Sequence, residues 1–186
     1  MKSENYKIYF YGLIAVLAFL IALYFDTPII KTVTSLRTDF LNAFMIIFTY
    51  SIIPTIAFIL ASILAHFNKK NVFKLWISYL LIISTLIVLK IMIARPRPFQ
   101  NGISAFVSLI KESYLRWDFS FPSMHSAFMF AALPFVPKKW FWPWLLLSCL
   151  VGISRVYFGL HYLSDVIAGA IFGFSLSYFI LKEKIK

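Results

Sequence analysis

Acidic side chains are scarce in this chain: seven Asp and Glu stand against eighteen Lys and Arg, and charged residues of both signs make up only 13% of its 186 residues. With 61% hydrophobic residues beside that scarcity, a water-soluble domain of this length is excluded. The sequence has one cysteine, Cys149, set in an apolar run, so neither a disulfide framework nor a thiolate metal cluster can be built, and the residue reads as a small core side chain. No internal repeat and no second domain are found, and residues 1–186 read as one unit. The first apolar run is not followed by an obvious small-residue cleavage site, which argues for a retained helix rather than a signal peptide. A net charge of +11 would suit nucleic acid. The basic residues, however, gather at the ends of hydrophobic segments, as topology signals and anionic-lipid contacts do, and nucleic-acid binding is discarded.

What is present is a succession of long apolar runs, which predicts an all-α, polytopic membrane protein with six transmembrane helices. The first span covers Ile8 to Phe25, and Asp26 to Asp39, with Pro28, Lys31 and Arg37, reads as a polar connection. A second span runs from about Phe40 to Ala65, with a kink expected at Pro54. His66 at its end is read as interfacial, with no catalytic role. After the basic turn Asn68 to Asn71 comes a third span, Val72 to Ala94. The stretch Phe99 to Phe121 places Ile103, Phe106, Val107, Ile110, Tyr114 and Trp117 at helical spacing, which predicts an amphipathic helix lying in the interface. Ser123 is expected to cap a short fourth span, Met124 to Val136. Trp140, Trp142 and Trp144 read as an aromatic belt opening the fifth span, which ends near Tyr157. The sixth, His161 to Leu181, holds Gly169 and Gly173 at a spacing that lets helices approach closely inside the bundle.

Ten basic residues fall at the N-terminus, the turns around Lys69–Lys74 and Lys138–Lys139, and the tail, against seven on the other side. The positive-inside rule then puts both termini in the cytoplasm of a multi-pass plasma (inner) membrane protein. The outer, periplasmic or extracellular, face receives the polar residues that the apolar spans do not explain.

Those residues cluster in Ser154-Arg155-Val156-Tyr157-Phe158-Gly159-Leu160-His161-Tyr162-Leu163-Ser164-Asp165. Ionisable groups in so apolar a setting are usually functional. In a helix, Asp165 lies one turn along the face of His161, where its carboxylate can hold one ring N–H and leave the other nitrogen to attack. Arg155, before the turn at Gly159, offers a guanidinium fork suited to phosphate oxygens. Lys90, near the end of the third span, reads by itself as a snorkelling lysine. Arg95-Pro96-Arg97-Pro98 must be extended, because each proline disfavours helical geometry in the residue before it.

Together, Lys90 with Arg97-Pro98, Pro122-Ser123-Met124-His125, and Ser154-Arg155 with His161 and Asp165 resemble the three signature motifs of the type 2 phosphatidic acid phosphatase family, whose fold includes vanadium haloperoxidases and glucose-6-phosphatase. Met124 stands where that family usually has glycine. The resemblance implies a membrane lipid phosphate as substrate and a phosphohistidine intermediate. It makes His161 the nucleophile, Asp165 its orienter and His125 the acid and then base. Lys90, Arg97, Ser123, Met124, Ser154 and Arg155 would bind the phosphoryl group. No cofactor is implied. The outer-face acids Asp26, Asp39, Glu112, Asp118 and Asp165 form no tight cluster, so no metal site is expected. Lys31, Lys111 and Arg116 could hold a second anionic group, which favours lipid A carrying its 1-phosphate, or undecaprenyl pyrophosphate, over phosphatidic acid, with phosphatidylglycerol phosphate between them. A catalytically silent lipid-binding scaffold and a transporter are the rival classes. The complete motif set weighs against the first, and clustering of the charges near one face against the second. No oligomeric state is implied.

Overall fold

The structure, a computed structural model, describes residues 2–50, 52–67, 70–103 and 119–183. Among these the chain is all-helical, without strands. Its elements are α1 (Lys2–Ser35), α2 (Asp39–Thr49), α3 (Ile52–Phe67), α4 (Val72–Ile93), α5 (Met124–Ala131), a single 3-10 turn (Lys138–Trp140), α6 (Phe141–Tyr157) and α7 (Leu163–Lys182). The α1 stretch Phe10–Ser35, α4 and α7 are long and apolar enough to cross a membrane, and α2 with α3 make a fourth such unit if taken as one bent span. At about 1.5 Å per residue, α4 and α7 match a hydrocarbon core roughly 30 Å thick, whereas the eight-residue α5 reaches about 12 Å.

α5 is the hub of the bundle. It packs against α3, α4, α6 and α7, and Ala127, Met129 and Ala131 on it are fully buried. α7 comes closest. A Cβ on Gly169 would lie 2.3 Å from the Ser123 carbonyl oxygen, and one on Gly173 would lie 2.1 Å from that of Ala127, so only glycine permits this approach. The spacing read in the sequence thus serves intramolecular packing. Around the hub, Leu75, Tyr79, Ile82 and Leu86 of α4 and Val151 of α6 complete a buried cluster, while large apolar side chains of α1, α3 and α4 face outward.

Several sequence expectations are corrected. α1 does not stop at Phe25 but continues through Asp26, Pro28 and Lys31 to Ser35. Packing outweighs the proline there: α1 lies against α6 and α7, and Ile30 is fully buried with Val156, Tyr162 and Val166. The second expected span bends by 49° between α2 and α3, ahead of Pro54, which occupies the first turn of α3, where a missing amide breaks no helical bond. Trp140 and Trp142 are exposed as anchors would be, but Trp144 is buried and donates its indole N–H to the Met129 carbonyl oxygen at 2.9 Å. Cys149 is exposed, not a core residue. Residues 99–103 form turns, and residues 104–118, most of the expected amphipathic helix, lie outside the described residues.

The two ends of the bundle differ in chemistry. At the end where α4 begins, Lys70 donates to the carbonyl oxygens of Pro134 and Val136, and Lys74 to those of Leu181 and Glu183, so lysines close the open carbonyls that follow α5 and end α7. His66 is exposed at this end, away from the motifs. The opposite end gathers the C-termini of α4 and α6 and the N-termini of α5 and α7.

Candidate active site

Local backbone chemistry delivers each motif residue to that second end. α4 terminates on Ala94, a left-handed cap (φ 49°) whose N–H bonds the Lys90 carbonyl oxygen at 2.9 Å, and the chain leaves as the extended Arg95-Pro96-Arg97-Pro98 segment that the prolines demand. α6 ends in a paired cap: Leu160 N–H reaches the Arg155 carbonyl oxygen at 3.0 Å and Gly159 N–H reaches that of Val156 at 2.9 Å, with Gly159 at φ 68°. This reversal drops His161 immediately before α7. At the start of α7 the Asp165 carboxylate turns back to accept the Tyr162 N–H at 2.8 Å, the reciprocal bond of a capping box.

His161 is 2% exposed and lies between a carboxylate and a guanidinium. Its Nδ1 is 3.6 Å from Asp165 Oδ2, an ion-pair approach longer than a hydrogen bond, and its Nε2 is 3.2 Å from Arg97 Nη1. Arg97 is held in turn by the Leu160 carbonyl oxygen, 2.8 Å from the same nitrogen. The ring is therefore oriented with one nitrogen toward the acid and the other toward a buried cation. Burial, then the charges of Arg97, Lys90 and Arg155, disfavour the His161 imidazolium relative to its ordinary range.

The remaining expected residues are distributed around this pair. Lys90 is buried and donates to the Phe119 carbonyl oxygen. Arg155, 1% exposed, donates through Nη1 to the Thr49 carbonyl oxygen at 2.6 Å and to Thr49 Oγ1 at 3.2 Å, closing the C-terminus of α2. Ser123 caps α5, accepting from Ser126 N–H at 3.5 Å, and donates its own N–H to the Asp165 carbonyl oxygen at 3.0 Å, which locks the α5 N-terminus to α7. His125, in the first turn of α5, has a buried Nε2 with no hydrogen-bond partner among the described residues. Met124 packs its side chain on the main apolar cluster. Ser154 does not join the group: its hydroxyl donates into its own helix, to the Val151 carbonyl oxygen at 2.7 Å. Among the described residues, no three His, Cys, Asp or Glu side chains converge on a point that could hold a metal ion.

Sequence reasoning missed a second layer. Arg95 donates from Nη1 to Asp165 Oδ1 at 2.7 Å and to Ser164 Oγ at 2.7 Å, and from Nη2 to Asp26 Oδ2 at 2.8 Å. Asp26 also accepts the Ser164 N–H at 2.9 Å and the Ser164 hydroxyl. Two carboxylates that look dispersed in the sequence share one guanidinium. The signal was available: an acid inside an apolar helix requires a partner, and Arg95 was an arginine beyond the motif set.

A family model described as the PAP2 superfamily matches residues 71–183, well over half of the chain, and includes every motif residue from Lys90 to Asp165. The chain belongs to the PAP2 superfamily. Among PAP2 relatives, phosphatidylglycerophosphatase B of Bacillus subtilis is 38% identical over 116 residues, covering 53% of this chain and 52% of that protein. Lipid A 4′-phosphatase of Bacteroides thetaiotaomicron is 30% identical over 176 residues, 83% of this chain and 76% of that protein. Bacitracin transport permease protein BcrC of Bacillus licheniformis is 49% identical over a 59-residue stretch, 30% of this chain and 29% of that protein, so the chain spans about half of one of these relatives and under a third of another. The crystal structure of a transmembrane PAP2-type phosphatidylglycerolphosphate phosphatase from Bacillus subtilis superposes with a TM-score of 0.69 at 28% identity, covering 94% of this chain and 96% of that one. Asp26 lies outside the PAP2 match, on the one helix of its network that precedes residue 71.

Proposed function

We propose that this PAP2 protein is an integral-membrane lipid phosphatase that cleaves a phosphomonoester or pyrophosphate at the outer face of the plasma membrane, without a metal ion. One observation carries the reading: His161 is held with Nδ1 toward Asp165 and Nε2 toward the Arg97 guanidinium, where phosphoryl oxygens would bind.

In the proposed reaction, His125 is protonated when the anionic substrate binds; the Nε2 lone pair of His161 then attacks phosphorus in line, and the bond from phosphorus to the leaving oxygen breaks as His125 gives that oxygen its proton. The phosphorylated ring, still protonated at Nδ1, is cationic, and Asp165 stabilises it. Lys90, Arg97 and Arg155, with Ser123 and the amides at Met124 and His125, neutralise the equatorial oxygens. His125, now neutral, takes a proton from water; the water oxygen attacks phosphorus, the P–N bond breaks, and phosphate leaves a neutral His161. Ser154 contributes in this scheme through the helix that carries Arg155 rather than by direct contact.

A six-span topology with cytoplasmic termini belongs to the same proposal, the site then opening toward the outer leaflet so that lipid tails stay in the bilayer. The relatives named for phosphatidylglycerophosphate and lipid A support a lipid substrate. Of the cations invoked for a second anionic group, Lys31 is exposed on α1, and Lys111 and Arg116 lie outside the described residues. Lipid A 1-phosphate and undecaprenyl pyrophosphate remain the favoured substrates. The test is phosphate release by the purified protein in detergent and chelator from these two, phosphatidylglycerol phosphate and phosphatidic acid, with His161→Ala as control. Release of phosphate from at least one lipid by the wild type alone is expected. Activity only on added metal, or equal release by the variant, would overturn the mechanism. Phosphatidic acid with the highest kcat/KM would overturn the substrate preference.

A further inference from the structure

A buried carboxylate in an apolar helix is costly unless paired, and α1 spends Asp26 far from any motif in sequence. Its side chain is 4% exposed and is bonded by Arg95 Nη2, by the Ser164 N–H and by the Ser164 hydroxyl. Arg95, whose guanidinium also lies 3.8 Å over the Tyr162 ring, reaches Asp165 with its other arm. Asp165 is thereby held at both oxygens, by Arg95 at Oδ1 and by the Tyr162 N–H at Oδ2, which fixes the plane it presents to His161 and leaves Oδ2 room for a further donor.

The charges set a condition on this arrangement. Arg95 alone against Asp165 would make a neutral pair, and a neutral pair stabilises a cationic ring poorly. Asp26 on the far side of Arg95 returns the unit to a net charge of −1 while the guanidinium still clamps both acids. We propose that Asp26 and Arg95 are positioning residues that set the orientation and effective charge of Asp165, and through it the reactivity of His161. The kinetic part of this inference rests on the phosphatase reading. Ordinary tethering of α1 is the competing role. It would make an Asp26 variant less stable but would not make its effect depend on Asp165.

The test is a double-mutant cycle in the purified full chain, with Asp26→Asn, Asp165→Asn and both together, on whichever lipid the wild type cleaves fastest, and with folded protein quantified by thermal unfolding. Asp26→Asn is expected to lower kcat about tenfold or more with KM within about threefold, and to cost less than about threefold in the Asp165→Asn background. Equal losses in both backgrounds, a loss in KM alone, or a loss that tracks the unfolded fraction would overturn the proposal. If Asp26→Asn does not fold, Arg95→Lys enters the same cycle, since lysine keeps the charge but not the two-armed bridge, and the same dependence on Asp165 is expected. A second arm needs no turnover. In ¹⁵N-histidine-labelled protein, with His161 identified by His161→Ala, Asp26→Asn should move the Nδ1 resonance in the direction that Asp165→Asn moves it. An unmoved resonance overturns the positioning role. A wild type inert toward every lipid phosphate would instead remove the phosphatase reading, and the resonance would still decide this one.

Discussion

Replacing His161 with alanine should abolish phosphate release, and His125→Ala should come close to doing so, while both variants keep the wild-type thermal unfolding temperature within a few degrees. His161 Nδ1 and His125 Nε2 have no hydrogen-bond partner among the described residues, and His161 Nε2 faces the Arg97 guanidinium rather than the apolar core. Near-normal release by His161→Ala would remove the nucleophile assignment. Because burial and neighbouring cations depress its protonation, the ligand-free His161 ring should stay neutral as pH falls through the ordinary imidazole range of about 6.5. A ring-¹⁵N titration checks this, and protonation at the ordinary pH would mean that the cations do not act on it. Met124→Gly should retain activity, since the proposed chemistry draws on the backbone N–H there and the side chain packs on the apolar cluster; loss of activity in a folded variant would assign that side chain a direct role. His161, Asp165, Arg97 and Lys90 were legible as a set because their chemistry is foreign to an apolar chain. Asp26 and Arg95 were each noticeable as a charge without a role, but their pairing was not legible, since it is a contact across 69 positions.

At the scale of elements, the tightest constraint is the α5–α7 contact, since α5 carries Ser123 and His125 and α7 carries Asp165. A Cβ on Gly173 would stand 2.1 Å from a backbone oxygen, not from a side chain that could rotate away. Gly173→Ala should therefore push the two helices apart, cost about 1–3 kcal/mol of stability, and lower kcat even in the fraction that stays folded. Thermal unfolding with kinetics on the folded fraction checks it, and wild-type values for both would mean that the helices have slack. Helix existence was readable from hydropathy alone: α4 and α7 fall within a residue or two of their expected bounds. The errors came where packing overrode a local signal, as when α1 ran on through Pro28 and when Trp144 turned from belt to core to reach the Met129 carbonyl.

For the whole molecule, the separation of a lysine-closed end from a motif-bearing end gives the topology a direct test. In a Cys149→Ser background, a membrane-impermeant maleimide should label Asn101→Cys in intact cells and Lys139→Cys only after permeabilisation, since both positions are exposed and lie at opposite ends. The reverse pattern would place the site in the cytoplasm. Composition and spacing by themselves determined that this is a helical membrane protein and where its ionisable motif residues fall, because hydropathy and ionisable groups are properties of residue type and short-range period. Only the tertiary structure decided how those residues are held: that Arg155 closes α2, that Ser154 bonds its own helix, that glycines on α7 set the distance to α5, and that Asp26 reaches Asp165 through Arg95. Such contacts join distant positions by direction and distance, and neither is written in the local order of residues.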